Sequence, residues 1–98
     1  MKLVYSKEAV SDLTRLREFI AQHETESAER ISATLLEAIK NLEAFPRLGH
    51  RVSHAPASMP VLDFIAGRYV VRYLLLTERI AILRIWHHKE QERDAPLK

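Results

Sequence analysis

Two adjacent histidines and several cationic side chains lie in the last third of this 98-residue sequence. Because an imidazole in general titrates near neutral pH, histidine is the residue type that serves most often as a general acid or base, and His87 and His88 are candidates for that role. Guanidinium groups such as those of Arg68 and Arg72 could neutralise the phosphate during a metal-independent cleavage of RNA. The sequence therefore offers four catalytic candidates: Arg68, Arg72, His87 and His88. The alternative for His87 is a structural role, in which the ring forms local hydrogen bonds at a strand end.

Other kinds of chemistry have little support in the sequence. Cysteine is absent, which excludes disulfides and thiolate catalysis. His50 and His54 have a spacing that suits metal ligands on a helix, but Gly49 and Pro56 disfavour a helix there. The sequence contains neither a phosphate-binding glycine loop nor a nucleophile motif. We therefore expect no metal site and no cofactor.

The composition predicts a single domain spanning residues 1–98, in which residues 88–98 form a charged tail. Fifteen Lys and Arg residues against thirteen Asp and Glu residues give a net charge of only +2. The segment from Arg47 to Arg84 is more basic, because its acids are only Asp63 and Glu78. This segment could face a phosphate backbone or an acidic partner, or its arginines could simply solvate strand faces.

No apolar run approaches the roughly 20 residues that a membrane-spanning helix needs. The N-terminal segment has no long apolar core and no small-residue cleavage site, so it does not read as a signal peptide. We therefore expect a cytoplasmic protein that does not contact a membrane.

Hydrophobic periodicity predicts two helices in the first half of the chain. Ser6 is a candidate N-cap for a helix that reaches about His23. Thr25 is the candidate cap of a second helix, which Pro46 ends. Their apolar stripes comprise Ala9, Leu13, Leu16 and Ile20, then Ala28, Ile31, Leu35, Ile39, Leu42 and Phe45. Two such helices form an antiparallel hairpin over about residues 7–45, and its stripes must be buried against another layer.

Strands supply that layer. β-Branched and aromatic residues predict strands at Lys2–Tyr5, at Val61–Ala66, at 69–76 and at 80–86, with an irregular connector at 47–60. The predicted fold class is α+β, with a short N-terminal strand and an antiparallel helical hairpin packed on a small antiparallel sheet. Residues beyond Trp86 lie past the last predicted strand, so we expect their deletion to leave the fold nearly intact.

Alternation along the last two strands assigns the faces of the sheet. Odd-numbered residues are apolar or aromatic and should face the helices: Tyr69, Val71, Tyr73, Leu75, Ala81, Leu83 and Ile85. The even-numbered face mixes aliphatic residues with arginine, which is typical of a partner-binding surface. Its candidate contacts are Arg72, Leu74, Ile82 and Arg84. In the alternative interpretation, the tail of the chain covers this face.

Two sequence elements resemble a known family. The last strand and the start of the tail read R-I-W-H at residues 84–87 and K-E-x-x-R at residues 89–93. The connector begins with F-P-x-L-G-x-R at residues 45–51. In their order and spacing, these elements resemble toxins of the RelE/ParE superfamily, which belong to bacterial type II toxin–antitoxin pairs. They are most similar to the ParE-like branch.

This resemblance implies a toxin that inhibits DNA gyrase and arrests growth, and that a cognate ParD-like antitoxin neutralises. It implies target binding by residues at the end of the last strand and in the tail: Arg84, Trp86, His87, Lys89 and Arg93. The arginine-bearing face with Arg72, Leu74, Ile82 and Arg84 would then bind the antitoxin.

Two alternatives stay open within the same resemblance. A RelE-like toxin would cleave mRNA on the ribosome, with Arg72 or Arg68 and His87 in the matching catalytic positions. The sequence departs from that branch because it lacks a tyrosine after the last strand and a lysine cluster in the connector. An inactive toxin relative that acts only as a binding module is the second alternative.

Overall fold

A computed structural model of the protein describes residues 1–23 and 28–90. The elements, in chain order, are β1 (Lys2–Tyr5), α1 (Lys7–His23), α2 (Ala28–Lys40), a 3₁₀ turn (Asn41–Glu43), β2 (His50–Arg51), β3 (Val61–Ala66), β4 (Tyr69–Leu75) and β5 (Arg79–His87). The predicted α+β class is confirmed. The proposed cap Thr25 and the tail from residue 91 onward lie outside the described residues. Within the described part of the chain, no helix is long and apolar enough to cross a bilayer.

The helical hairpin forms as its periodicity predicts. Ser6 caps α1, since its Oγ accepts the Ala9 N–H at 2.9 Å. Both apolar stripes reach the core, where the fully buried members are Ala9, Leu16, Ile20, Leu35, Ile39 and Leu42. Phe45 is an exception and is 63% exposed, because the chain leaves the helical path at the 3₁₀ turn before it reaches this residue.

The sheet has five strands in the order β1-β5-β4-β3-β2. The three pairs β2–β3, β3–β4 and β4–β5 are antiparallel, as predicted for the sheet. Strand β1, however, joins β5 in parallel, so the sheet is mixed. A parallel pair needs a long connection, and here the rest of the fold from α1 to β4 provides it. The connector predicted to be irregular contributes the short edge strand β2.

A β-bulge in β5 changes which residues face the helices. Arg72 of β4 lies opposite Arg84, but the next residue, Tyr73, lies opposite Ile82, so Leu83 is the extra residue. Ile82 therefore joins the helix-facing core with Tyr73, while Arg84 shares the outer face with Arg72. The prediction that Ala81 and Leu83 face the helices is wrong, since Ile80 and Ile82 are the fully buried residues there. The prediction that odd-numbered residues face the helices is correct for Ile85 and for the residues of β4.

Tyr73 fixes the F-P-x-L-G-x-R element to the sheet. Its hydroxyl donates to the Pro46 carbonyl at 2.7 Å and accepts the Gly49 N–H at 3.0 Å. A side chain at position 49 would place its Cβ 2.9 Å from the Asp63 carbonyl oxygen and from the Tyr73 hydroxyl. Only glycine fits this close approach without a shift. The element is therefore a packing device that holds the connector against β3 and β4.

Helix α1 closes the edge of β5 where β1 stops. Strand β1 pairs as far as Tyr5 with Ile82, and beyond that point α1 and its cap supply the hydrogen bonds. Ser6 Oγ donates to the Leu83 carbonyl at 2.9 Å, and the Asp12 carboxylate accepts the Ile85 N–H at 2.8 Å. The strand thereby satisfies backbone groups that a bare edge would expose. This arrangement brings α1 side chains to the end of β5.

Candidate functional site

The centre of the α1–β5 contact is a buried ion pair between Asp12 and Arg84. Their side chains are 2% and 9% exposed. Asp12 Oδ2 accepts from Arg84 Nε at 2.8 Å, and Oδ1 accepts from Nη2 at 2.9 Å. Burial by itself raises the pKa of Asp12, but hydrogen bonds from Arg84, from the Ile85 N–H and from Arg15 lower the pKa below its ordinary 3.8. The carboxylate is therefore charged and neutralised within the fold.

Arg15 extends this network to the segment that follows β5. Its guanidinium donates to Asp12 Oδ1, to the Ile85 carbonyl at 3.0 Å and to both Glu90 carboxylate oxygens, also at 3.0 Å. Burial lowers the pKa of Arg15, but Glu90 and Asp12 raise it, and the net direction is upward. Glu90 Oε1 also accepts the His87 N–H at 3.0 Å. One arginine thus joins α1, the end of β5 and the turn at residues 87–90.

Arg72 occupies the matching position on β4 but has different partners. Its Nε and Nη2 donate to the two carboxylate oxygens of Asp63 at 2.8 and 2.9 Å. Its guanidinium carbon lies 5.0 Å from the centre of the Trp86 ring, which is cation–π distance. Arg72 is 1% exposed. Its charge is therefore engaged in holding β3, β4 and β5 together on the outer face.

His87 lies inside the protein and is 0% exposed. Its Nδ1 accepts the Lys89 N–H at 3.0 Å, so this nitrogen carries no proton. The ring lies 5.0 Å from Phe19 and 5.0 Å from Tyr69, and it stacks on His88 at 4.6 Å. These contacts support the structural alternative for this residue.

Three exposed cationic or titratable residues surround the end of β5. Arg68 follows Gly67, whose φ of 62° forms the turn between β3 and β4. The Arg68 carbonyl accepts the His88 N–H at 2.8 Å, which holds the two turns side by side. Lys89 is the next exposed residue. We call Arg68, His88 and Lys89 the cationic patch.

Comparison with known proteins identifies the family. Residues 3–92 match the family model of the ParE toxin of the type II toxin–antitoxin system parDE. The chain belongs to the ParE toxin family. It is therefore the toxin component of a type II toxin–antitoxin system.

Two curated toxins are similar to this chain in sequence, and two solved structures share its fold. Toxin RelE1 of Caulobacter vibrioides is 29% identical over 89 residues, which cover 91% of this chain and 95% of that protein. Toxin RelE2 of the same organism is 28% identical and covers 88% and 93%. A structure of the chromosomal ParDE system from P. aeruginosa superposes with a TM-score of 0.71 at 21% identity and covers 89% and 95%. A copper-bound mutant toxin from Helicobacter pylori superposes at 0.57 with 18% identity and covers 91% and 96%.

The fold of this ParE-family toxin removes most of the predicted target-binding residues from the surface. Arg84, Trp86 and His87 are buried, whereas Lys89 is exposed. Arg93 lies outside the described residues. Strand β5 continues one residue past Trp86, to His87, and Glu90 binds Arg15. The expectation that deleting the residues after Trp86 leaves the fold nearly intact stays a prediction.

The predicted antitoxin-binding set is likewise divided. Ile82 lies in the core on the helix-facing side, because the Leu83 bulge reverses the alternation. Arg72 and Arg84 are buried in ion pairs, and Leu74 is half-buried. The four residues therefore do not form one exposed face.

The catalytic candidates separate in the same way. Arg72 and His87 are buried, while Arg68 and His88 are exposed and adjacent. Among the described residues, His50 and His54 included, no group of three metal-ligating side chains comes together.

Sequence reasoning missed the carboxylates that organise these arginines. The sequence predicted no ion-pair role for Asp12, Asp63 or Glu90, nor for Arg15. A signal existed for Asp12, which stands three residues after Ala9 and four before Leu16, within the apolar stripe of α1. A charge in a buried stripe requires a partner.

Proposed function

We propose that this ParE-family toxin arrests growth by inhibiting DNA gyrase through a binding surface rather than through catalysis. The supporting observation is the burial of the best acid–base candidate. His87 is 0% exposed and Arg72 is 1% exposed. A general base must reach the proton that it abstracts at about 3 Å or through one water. An RNA 2′-hydroxyl cannot approach His87 this closely while β5 is intact.

The proposed target-binding surface is the cationic patch. Arg68, His88 and Lys89 are exposed, and backbone hydrogen bonds fix the two turns that carry them. Fixed charges of one sign steer an oppositely charged partner and set its orientation. This surface replaces the buried part of the predicted set and retains Lys89 from it.

The toxin family implies a cognate antitoxin, and we propose that it is an acidic, ParD-like chain. An apolar groove of about 430 Å³ runs between α2 and the turn that connects β3 and β4. Ile31, Leu35 and Tyr69 line this groove together with Arg30. An amphipathic segment with apolar residues on one side and acids beside Arg30 would match it. This groove replaces the outer sheet face as the proposed antitoxin site.

Purified toxin in a gyrase supercoiling assay tests the proposal. We expect the toxin to inhibit supercoiling, and we expect induced cells to accumulate cleaved DNA while transcripts stay intact. Arg68→Ala/Lys89→Ala should raise the concentration for half-inhibition at least tenfold, whereas the exposed control Arg17→Ala should not change it. Unaffected supercoiling together with transcripts cut at ribosome-bound codons would overturn gyrase as the target.

Ribosome-dependent mRNA cleavage is the second candidate, and one observation favours it. The exposed His88 ring lies beside Arg68, with its Nδ1 3.3 Å from the Arg68 carbonyl oxygen. If this toxin cleaves RNA, His88 is therefore the accessible acid–base group. Replacement His88→Ala would then abolish transcript cleavage in a translating extract, whereas in a gyrase inhibitor it should only weaken binding.

A further inference from the structure

We propose that Arg15 and Glu90 are positioning residues, which hold the cationic patch in the shape that binds the target. The inference rests on the proposed function only for the identity of that target. Neither residue belongs to the patch. Arg15 lies on α1, far from the end of the chain in sequence, and Glu90 links it to the turn that carries the patch.

Glu90 closes the turn that presents His88 and Lys89. Its Oε1 accepts the His87 N–H at 3.0 Å, and its own N–H donates to the His87 carbonyl at 2.8 Å. Between these two bonds, the Lys89 N–H donates to His87 Nδ1 at 3.0 Å. The backbone of residues 87–90 is therefore tied to the buried His87 at three points, and one of them is the Glu90 carboxylate.

Arg15 fixes that carboxylate relative to the sheet. Its Nε and Nη2 bind the two oxygens of Glu90, each at 3.0 Å, in a bidentate contact. The same guanidinium binds Asp12 and the Ile85 carbonyl. Asp12 also accepts the Ile85 N–H. The contacts of Arg15 and Asp12 therefore hold the turn at residues 87–90 in a fixed orientation relative to the backbone of β5. Lysine could not replace this arrangement, since its ammonium lacks the planar fork.

The location of the pair favours a positioning role over a major stabilising role. The Arg15 side chain is 36% exposed and that of Glu90 is 15% exposed, so solvent screens their attraction. The pair lies at the rim of the molecule, whereas Asp12 and Arg84 occupy the buried centre. A preformed turn saves the free energy of ordering its side chains when the target binds. Loss of the pair should therefore weaken target binding more than it weakens the fold.

Amide hydrogen exchange of the full-length toxin tests the positioning directly and does not depend on the target. In Glu90→Ala, we expect the His87 and Lys89 amides to exchange at least tenfold faster than in the wild type. Glu90→Gln retains an oxygen acceptor and should restore most of the protection. The matched control is Glu29→Ala, which breaks the exposed Arg17–Glu29 pair and should leave both amides unchanged. Unaltered protection in Glu90→Ala would overturn the proposal.

A second experiment measures gyrase inhibition and growth arrest for the variants Arg15→Lys and Glu90→Ala. We expect at least a tenfold loss of inhibition and a matching loss of arrest, with a midpoint of thermal unfolding within a few degrees of the wild type. Activity within twofold of the wild type would contradict a positioning role. If the wild type arrests growth without inhibiting gyrase, the proposed function fails, and growth arrest alone then decides whether the pair positions the patch.

Discussion

Arg72 and Arg84 stand directly opposite each other on β4 and β5, yet the fold neutralises them in different ways. Arg84 turns to the edge of the sheet, where Asp12 of α1 holds it at two points with a carboxylate that is 2% exposed. Arg72 pairs instead with Asp63 of the neighbouring strand β3, whose side chain is 24% exposed. The Arg72 guanidinium also lies over the Trp86 ring. Like charges facing each other across strands are destabilising. Each arginine is tolerated because it has its own carboxylate.

This difference indicates that the other contacts of each carboxylate decide how much its ion pair contributes to stability. Asp12 also binds the Ile85 N–H and Arg15, so it joins α1 to β5 and, through Arg15, to the cationic patch. Asp63 joins two neighbouring strands that already share a ladder of hydrogen bonds. We therefore expect the Asp12–Arg84 pair to contribute more to the free energy of unfolding and to target binding than the Asp63–Arg72 pair does.

The largest effect should follow Asp12→Ala. This change leaves the buried Arg84 guanidinium and the Ile85 N–H without their acceptor, and breaking a buried pair in this way costs about 3–5 kcal/mol. Urea unfolding at neutral pH measures the loss. A decrease in the free energy of unfolding of less than about 1 kcal/mol would mean that water or another group replaces the carboxylate.

Acid titration should show the same carboxylate through its pKa. Because the pKa of Asp12 is lower in the folded state than its ordinary 3.8, the unfolded chain takes up the proton first. Its contribution is therefore complete above the unfolded pKa and is lost as the pH falls through the folded pKa. We expect the free energy of unfolding to decline between about pH 5 and pH 2, with a smaller slope for Asp12→Asn than for the wild type. Equal slopes would assign the acid sensitivity to other carboxyls.

A smaller effect is expected from Asp63→Asn. The amide retains one oxygen acceptor for Arg72, and the partly exposed position admits water, so the expected loss is about 1.5–3 kcal/mol. Measured beside Asp12→Asn under identical conditions, it tests the comparison itself. If Asp63→Asn proves the more destabilising of the two, our ranking of the pairs is reversed.

Trp86→Phe should cost about 1 kcal/mol. Phenylalanine retains an aromatic face for Arg72, but it gives a weaker cation–π contact, and it fills less of the buried volume. Thermal unfolding of Trp86→Phe and of the double variant Trp86→Phe/Asp63→Asn would show the coupling. Strict additivity would indicate that the ring and the carboxylate act on Arg72 independently.

The smallest effect should come from the exposed ion pair on the helices. Arg17 and Glu29 are 61% and 80% exposed at 3.4 Å, and such pairs contribute about 0–1 kcal/mol. Arg17→Ala should therefore change the free energy of unfolding by less than about 0.5 kcal/mol. A larger loss would reveal a contact of α1 beyond this pair.

Local patterns in the sequence were sufficient for both helices and for most strands of the fold. The N-cap at Ser6, the apolar stripe through Leu16 and Ile20, and strand β3 all appear where periodicity and capping predict them. These features depend on residues within one or two turns of each other, so no tertiary information is needed. The helical hairpin and the α+β class follow from them.

Strict alternation failed at one residue of β5. The bulge at Leu83 arises only when β4 and β5 pair, and it moves Ile82 into the core while Arg84 remains on the outer face. A strand of period two predicts that these residues share a face. The predicted antitoxin surface was therefore assembled from residues on opposite sides of the sheet.

The sequence by itself determined the helices, most strand positions and, through its resemblance to known toxins, the family. Only the tertiary structure decided which charges are buried and which remain exposed for a partner. Asp12 and Arg84 are 72 positions apart, and Arg15 and Glu90 are 75 apart. The partner of a charged side chain depends on which distant residues the packed helix and sheet bring within about 3 Å, and no local pattern encodes that distance.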